Sequence, residues 1–595
     1  YMSKQMETTE CTYIKGKDDS LEQSIFRMQS ILQETGFEIE EASWLNPIPH
    51  VYSVHIRDGR NPGLFTNGKG SSQKATLASA LGEFFERLET NYFFSDYWLQ
   101  PILEQQDWLY FPDEKKFSVE EYRSCLSPEL WEIYDSEQRI RGEDLLSFND
   151  EDSWIRCLPL YKVSRTGDFE KNPVYFPMNL LSNLYASNGL AAGNTQVEAQ
   201  VQALSEVFER WVKNRILREN LCLPEVPDER LLNFPVVMEA IEKLRSLGIE
   251  VSVRDASLGG KYPVISVILF EQAAGQCFVS FGAHPIFEVA LERTLTESLQ
   301  GRSLEQLDGF QTPVFDEEVV ASDENIENHF IDASGLWHVR FIGHQADFDY
   351  VDWDYAGEPT DTQGQWQQLV TTIEAEGHPI YLAEYEHYGV PACRVVVPGM
   401  SEIYPMSELV ENNQNIGREV RDLMQALADS TQEKHHFLEA LEAFESLGLS
   451  DHQGMANLIG LQADGDSYWQ QLKVVEFRMW LYLAIKDYDT AAECIEDSFY
   501  YVEDEEMRVF YQCLLFMLNR QLYQVEDEVD EAALMALFGQ ERVQKAKACI
   551  EGEMIFGGLT IGNKVFIESK NHQTMLEIYR QINEVKCHPV NKQTC

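Results

Sequence analysis

Residues Ser79 to Arg87 read SALGEFFER. At helical spacing Leu81, Phe84, Phe85 and Leu88 share one side, and Ser79, Glu83, Glu86 and Arg87 share the other. Taken alone, that polar face is a solvated surface with one Glu83–Arg87 pair at i, i+4, worth a few tenths of a kcal/mol. The pattern recurs, however. Gln202 to Arg210 read QALSEVFER in the same register, and Arg293 to Arg302 read RTLTESLQGR. Each copy carries a polar residue (Ser79, Gln202, Arg293) and a glutamate one turn later (Glu83, Glu206, Glu297). Asn67-Gly68 and Asn188-Gly189, read as turns, lead into the first two copies. Self-similarity on this scale marks a fold built from repeated units.

Working outward, Ser20 and Gln23 open a capped helix over residues 20–34 that Gly36 stops. Strands are predicted at 37–42 and 51–57, with Asn46 to Pro49 as a loop. Further strands are predicted at 174–181, 249–254, 263–270, 277–281, 378–386 and 393–398. Residues 95–175, aromatic and acidic, read as a long excursion over the surface. Each repeat is then strands plus one long helix, an α+β arrangement of sheets with helices stacked on them. Beyond Tyr404 strand signals vanish. LYLAIKDYDTAAECIEDSFYY (481–501) reads as a helical hairpin of tetratricopeptide type, and 506–524 as the first helix of another. Two domains are expected, 1–404 and an all-helical 405–595.

The chain has 595 residues and a formal net charge of −52. That charge argues against a nucleic-acid partner, which needs a positive footprint. No apolar run is long enough for a membrane span, and the N-terminus has no signal-peptide core. Eleven cysteines, scattered singly with no C-x-x-C, fit a reduced, cytoplasmic protein without a disulfide framework or zinc site.

Few chemical motifs compete. Gly63 to Gly70, GLFTNGKG, nearly matches a phosphate-binding loop, but Gly70 stands where that loop needs a hydroxyl for the metal. The thirteen histidines show no H-E-x-x-H, and neither G-x-S-x-G nor G-x-G-x-x-G occurs. The glutamates remain. Should the repeats pack about one centre, Glu83, Glu206 and Glu297 converge, with Glu86 and Glu209 one turn on. Two carboxylates about 4 Å apart repel by about 4 kcal/mol at an effective dielectric near 20, so such a cluster calls for cations. Hard oxygen ligands suit Mg²⁺, which completes its shell with water and substrate phosphates. Arg87, Arg210 and Arg293 on the same faces, with Asn194 and Glu198 upstream, supply phosphate donors. The competing reading leaves all three faces in solvent.

S-x-x-x-E-x-x-E-R (Ser79, Glu83, Glu86, Arg87), E-x-x-x-Q followed by E-x-x-E-R (Glu198, Gln202, Glu206, Glu209, Arg210) and R-x-x-x-E (Arg293, Glu297) together resemble the ATP-binding signatures of YcaO-domain proteins. The resemblance covers residues 15–405. It implies a YcaO-type ATP-binding domain in which Glu83, Glu86, Glu206, Glu209 and Glu297 face Mg²⁺. Lys17, Ser24, Ser79, Arg87, Asn194, Glu198, Gln202, Arg210 and Arg293 would hold ATP, and Glu83, Glu206 and Arg293 would act on the reaction. Family members activate a peptide amide: a nucleophile adds to the carbonyl and ATP phosphorylates the resulting oxyanion.

With its helical C-terminal domain, the chain resembles the stand-alone branch that assists methylthiolation of a small-subunit ribosomal protein. The implied activity is therefore ATP-utilising, with a protein substrate or methylthiotransferase partner docked on the helical domain and a homodimer among the assemblies. Two other readings are direct azoline or thioamide formation, and a non-catalytic scaffold gated by ATP. Two departures stand out. Ala191 occupies the place of a family serine, removing a hydroxyl expected near the nucleotide. The end CHPVNKQTC, with a lone Pro589, lacks the proline-rich tail of azoline-forming members.

Overall fold

The computed structural model describes residues 11–588, apart from 105, 151–152, 165, 167, 355–360, 432 and 525–529. The N-terminal decapeptide and the tail with Pro589 and Cys595 lie outside the described residues.

Three sheets carry the three repeat helices. β1 (Ile39–Ile48), β2 (Val51–Asp58) and β3 (Phe65–Gly70) form an antiparallel sheet in that order. The first repeat helix, Gln73–Glu89, follows β3, and the Ser72 hydroxyl caps it by accepting from the Ala75 N–H. The central sheet uses β4 (Lys115–Ser118), β5 (Trp154–Lys162), β6 (Val174–Pro177) and β7 (Leu190–Ala192). β8 (Ile249–Asp255), β9 (Val264–Glu271) and β10 (Gln276–Ala283) make a third sheet in the order β10-β9-β8. β11 (Tyr381–Tyr385) and β12 (Ala392–Val396) complete the central one, ordered β4-β5-β11-β12-β7 with β6 on β5. The second repeat helix, Gln196–Glu219, follows β7 behind a Thr195 cap, and the third, Phe287–Ser298, follows β10. In every case the strand feeding the helix lies at an edge of its sheet.

The repeats match in packing as well as in order. Gly68 in β3, fifteen positions before Glu83, lies so close to the first helix that a Cβ there would strike the Thr76 carbonyl and Ala80. Gly282 in β10, fifteen before Glu297, would likewise strike the Ala290 carbonyl and Thr294. Those contacts fall at the same two helical positions, seven and three before the glutamate. The middle repeat has Ala191 at this place, wholly buried in a core with Ala199 and Ala203, whose small side chains leave room for its methyl. The position expected to present a hydroxyl to the nucleotide is thus inside the strand–helix interface.

Several expectations are corrected. Asn67-Gly68 is part of β3 and not a turn, whereas Asn188-Gly189 is one, with Gly189 at φ +81°. The loop expected at Asn46 to Pro49 shrinks because β1 runs to Ile48 and the Asn46 amide donates to the Ile48 and Val51 carbonyls. Residues 95–175 are no surface excursion. Leu99, Ile102 and Leu109 are buried, and in β5 Ile155, Cys157, Leu158 and Leu160 are buried together with the ion-paired Arg156, so both faces are covered and the alternation that marks a strand is lost. Of the strand expected at 174–181, the second half is the helix Met178–Tyr185.

From Ile416 onward the described chain is helical. Val474–Ile485 and Tyr488–Ser498 form the expected hairpin, turned by Lys486 at φ +63° and capped by Asp487. They share a second core with the helix Glu505–Leu522. The closing helix, Lys570–Cys587, does otherwise: its Met575, Leu576, Ile578, Tyr579 and Ile582 enter the core of the first repeat beside Phe84 and Phe94. The Phe94 and Tyr579 rings lie 4.8 Å apart. The 405–595 unit therefore does not keep its last helix to itself.

Candidate active site

The apolar stripe behaves as its spacing predicts: Leu81, Phe84, Phe85 and Leu88 are fully buried. The opposite stripe is not a solvent face, since Glu86 is buried and Glu83, Arg87, Glu206, Glu209, Arg210, Arg293 and Glu297 are all at least partly covered. These polar faces turn toward one another.

At the upper end, the helix Leu21–Glu34 and the start of the second repeat helix are stitched together. The Ser24 hydroxyl donates to Asn194 Oδ1 at 2.7 Å, and Arg27 Nη2 donates to the same oxygen at 3.0 Å. The Asn194 amide donates to Glu198 Oε2 at 3.0 Å. Lys17 Nζ lies 3.0 Å from Glu198 Oε1, and the Asp18 N–H donates to Glu198 Oε2 at 2.8 Å. Burial alone would push the Glu198 carboxyl up, but the Lys17 charge and these donors outweigh it and hold the group below its ordinary range.

Further along, ion pairs tie the first and second repeat helices to themselves. Arg87 Nη2 donates to Glu83 Oε1 at 3.1 Å, and Arg210 Nη1 donates to Glu206 Oε2 at 3.1 Å and to Asn188 Oδ1 at 2.8 Å. The Gln202 amide donates to Glu206 Oε1 at 3.1 Å, and Arg293 Nη1 to the Ala283 carbonyl at 3.2 Å. Ser79, at the outer edge of this row, is exposed.

The three helices meet around Lys69 of β3. Its ammonium pairs with Glu297. Burial lowers its pKa, while the charges of Glu209, Glu206 and Glu83 oppose that and Arg293 adds to it. Carboxylates from all three repeats thus act on one ammonium, Glu297 by direct contact and Glu83, Glu206 and Glu209 through their charge. Burial pushes Glu86 well up, helped by Glu206 and Glu83 against the pull of Arg87. Glu209 is raised as well, again chiefly by burial. Acidic side chains gathered from three helices, two of them raised by burial, make a site that favours added positive charge.

That donor set fits a magnesium nucleotide. Its oxygens are hard, and Lys69 already stands where a cation is wanted. Among the described residues no three acidic, imidazole or thiol side chains lie together so as to hold a metal ion by themselves. Mg²⁺ needs no such set, since it is bound through one or two carboxylates plus phosphate oxygens and water.

Two participants went unseen in the sequence. Lys69 lies in the stretch that imitates a phosphate-binding loop; it reaches the site from a strand, and its signal was the outward half of the β3 alternation. Arg27 is one turn after Ser24 on the same helix face. A cavity of about 640 Å³ adjoins the cluster, bounded by Glu209, Arg210, Lys213 and Glu297.

A family profile described as "YcaO cyclodehydratase, ATP- and Mg²⁺-binding" matches residues 67–401, and the YcaO cyclodehydratase C-terminal domain matches 417–588. The chain belongs to the YcaO family. Its ATP- and Mg²⁺-binding domain accordingly contains all three repeat helices, and the YcaO C-terminal domain contains the closing one. The chain is 43% identical over 587 residues, 97% of its length and 98% of the relative's, to the "Ribosomal protein S12 methylthiotransferase accessory factor YcaO" of Escherichia coli. It is 39% identical over 592 residues to an uncharacterized protein of Haemophilus influenzae, covering 97% and 99% of the two chains. Among solved structures, a YcaO from Methanopyrus kandleri bound with AMPPCP and Mg²⁺ shares 18% identity at a TM-score of 0.39, covering 68% of this chain and 97% of that one. A heterocyclase in complex with substrate and cofactor shares 19% at 0.43, covering 67% and 54%.

Proposed function

We propose that this YcaO protein uses ATP and Mg²⁺ to assist β-methylthiolation of a small-subunit ribosomal protein. The observation that carries the reading is that Glu83, Glu206, Glu209 and Glu297, from all three repeat helices, act on Lys69, with Glu86 beside Glu83 and Glu206. The full-length relative at 43% identity supports the biological setting. Lys17, Ser24, Asn194, Glu198 and Gln202 would hold the nucleoside end of ATP. The five glutamates would take Mg²⁺, and Ser79, Arg87, Arg210 and Arg293 would steady the phosphates. The bound nucleotide supplies a phosphoryl group, and the protein contributes position and charge neutralisation.

The C-terminal helices, of tetratricopeptide-like type in this reading, would dock the protein substrate or its methylthiotransferase, in the cytoplasm and with a homodimer as one assembly. The ten described cysteines are unpaired, which suits that compartment. Among the described residues no helix is long and apolar enough to cross a membrane.

The test is titration of the full chain with Mg-ATP, with Glu206→Gln alongside. Saturable binding that depends on Mg²⁺ and is lost in a folded Glu206→Gln supports the reading. Mass spectrometry of the ribosomal protein, from cells lacking the gene and from cells supplied with Glu206→Gln, then reports the modification. Full modification in both would overturn the reading.

A further inference from the structure

A second cavity, of about 460 Å³, adjoins the nucleotide site on the side of Arg87 and Arg210. Three guanidinium groups line it (Arg87, Arg210 and Arg394), and its carboxylate is Asp96 alone among the described residues. Arg87 is paired with Glu83 and Glu86 and Arg210 with Glu206, which leaves Arg394 as the guanidinium of this wall without a salt bridge among the described residues.

Arg394 decides the matter. It sits on β12, only 3% exposed, with backbone pairing to Leu190 of β7 and Ala383 of β11. Tyr385 hydrogen-bonds its side chain, yet its Nε has no hydrogen-bond partner, and no salt bridge to it exists among the described residues. A buried guanidinium without a counter-charge costs folding stability unless an anion completes it.

The other walls suit the same guest. Arg87 Nη1 is also buried and faces Glu86 at 3.1 Å without hydrogen-bond geometry. The guanidinium of Arg87 lies 4.5 Å from the Tyr92 ring centre and that of Arg210 5.1 Å from the Phe330 ring centre. Hydroxyls of Ser182, Ser187 and Tyr404 complete the lining. Planar forks with hydroxyls beside them bind oxyanions through paired N–H···O bonds.

We propose that this cavity is an oxyanion subsite, holding either a carboxylate of the acceptor chain or the phosphate released from ATP. The choice between those sources rests on the nucleotide reading above, which also uses Arg87 and Arg210; the buried Arg394 stands without it.

Crystals of the full chain soaked in selenate provide the first test. An anomalous peak against the Arg394 guanidinium is expected; peaks only elsewhere, or none, would overturn the assignment. Calorimetry with inorganic phosphate and with succinate gives the second. Arg394→Gln should weaken the preferred anion by about tenfold or more, and Arg394→Lys should restore part of it. Mg-ATP affinity should stay unchanged in both. Equal anion affinity in a folded Arg394→Gln would count against the subsite, and if that variant does not fold, the selenate result on the unaltered chain decides. Preference for phosphate indicates the leaving group, and preference for succinate the acceptor carboxylate. Anion binding in a chain that fails to bind Mg-ATP would remove the nucleotide reading and leave the subsite standing.

Discussion

Lys586, near the end of the closing helix, donates to Asn91 Oδ1 at 2.6 Å, two residues past the end of the first repeat helix. It also donates to the Tyr110 carbonyl at 2.8 Å and lies 4.7 Å from the Phe111 ring centre. Burial pulls this ammonium down to about 7, against the pull of Glu89 and Glu114. The C-terminal region is thereby fastened to the helix that carries Glu83 and Glu86.

Cutting that fastening should unpack the first core. Tyr579→Ala removes a ring buried against Phe94, at a cost on the order of 3 kcal/mol. Removal of residues 570–595 should go further and abolish the thermal stabilisation by Mg-ATP, read by scanning fluorimetry. A truncated chain that keeps both its melting temperature and its nucleotide shift would show the helix to be an ornament.

Glu89 makes stability depend on pH. Burial raises its carboxyl to about 8, although the Tyr388 and His387 N–H groups donate to it. The folded state then holds a proton that the unfolded state releases near pH 4.5, so this residue's contribution is full in acid and falls as pH rises toward 8. The slope is about 1.4 kcal/mol per pH unit. Glu89→Gln should match the unaltered protein at low pH and gain on it steadily up to pH 8. Parallel melting curves across that range would refute the assignment.

Lys69 acts as a resident counter-charge. Lys69→Met should lower the melting temperature of the metal-free protein, because Glu297 loses its ion pair and Glu83, Glu206 and Glu209 lose a nearby positive charge. The stabilisation on adding Mg-ATP should grow, since incoming cations then relieve more repulsion. An unchanged Mg-ATP shift would mean that Lys69 and the cations do not share a role.

Ala191→Ser restores the hydroxyl expected from the family pattern. Because the position is sealed between β7 and its helix, Mg-ATP affinity should not change. A buried hydroxyl without a partner costs about 1–3 kcal/mol, so the melting temperature should stay level or fall. Tighter nucleotide binding would place the side chain in the site after all.

Much of the architecture could be read in advance because its signals were periodic. Three helices with an apolar stripe and a registered glutamate announced the repeat, while the convergence of the glutamates stood in the sequence as one of two readings, and the strands with clear alternation appeared within a few residues of their places. Other parts were hidden for physical reasons. β5 is covered on both faces, so its side chains do not alternate. Asn67-Gly68 has the composition of a turn, but a glycine is needed there for close approach to the first helix. Lys69, Arg27 and Arg394 act through neighbours far away along the chain, and local pattern cannot show such neighbours. The return of the closing helix to the first core is invisible for the same reason.

That return bears on how the protein is made. The core of the first repeat joins residues from Met28 to Ile582, so its last layer leaves the ribosome long after Phe84 and Phe94 have emerged. At about 5–20 residues per second, Phe84 and Phe94 wait on the order of half a minute or more for Tyr579. During that interval their side of the nascent chain lacks its cover, and a holding chaperone, or the ribosome surface itself, has to shield it.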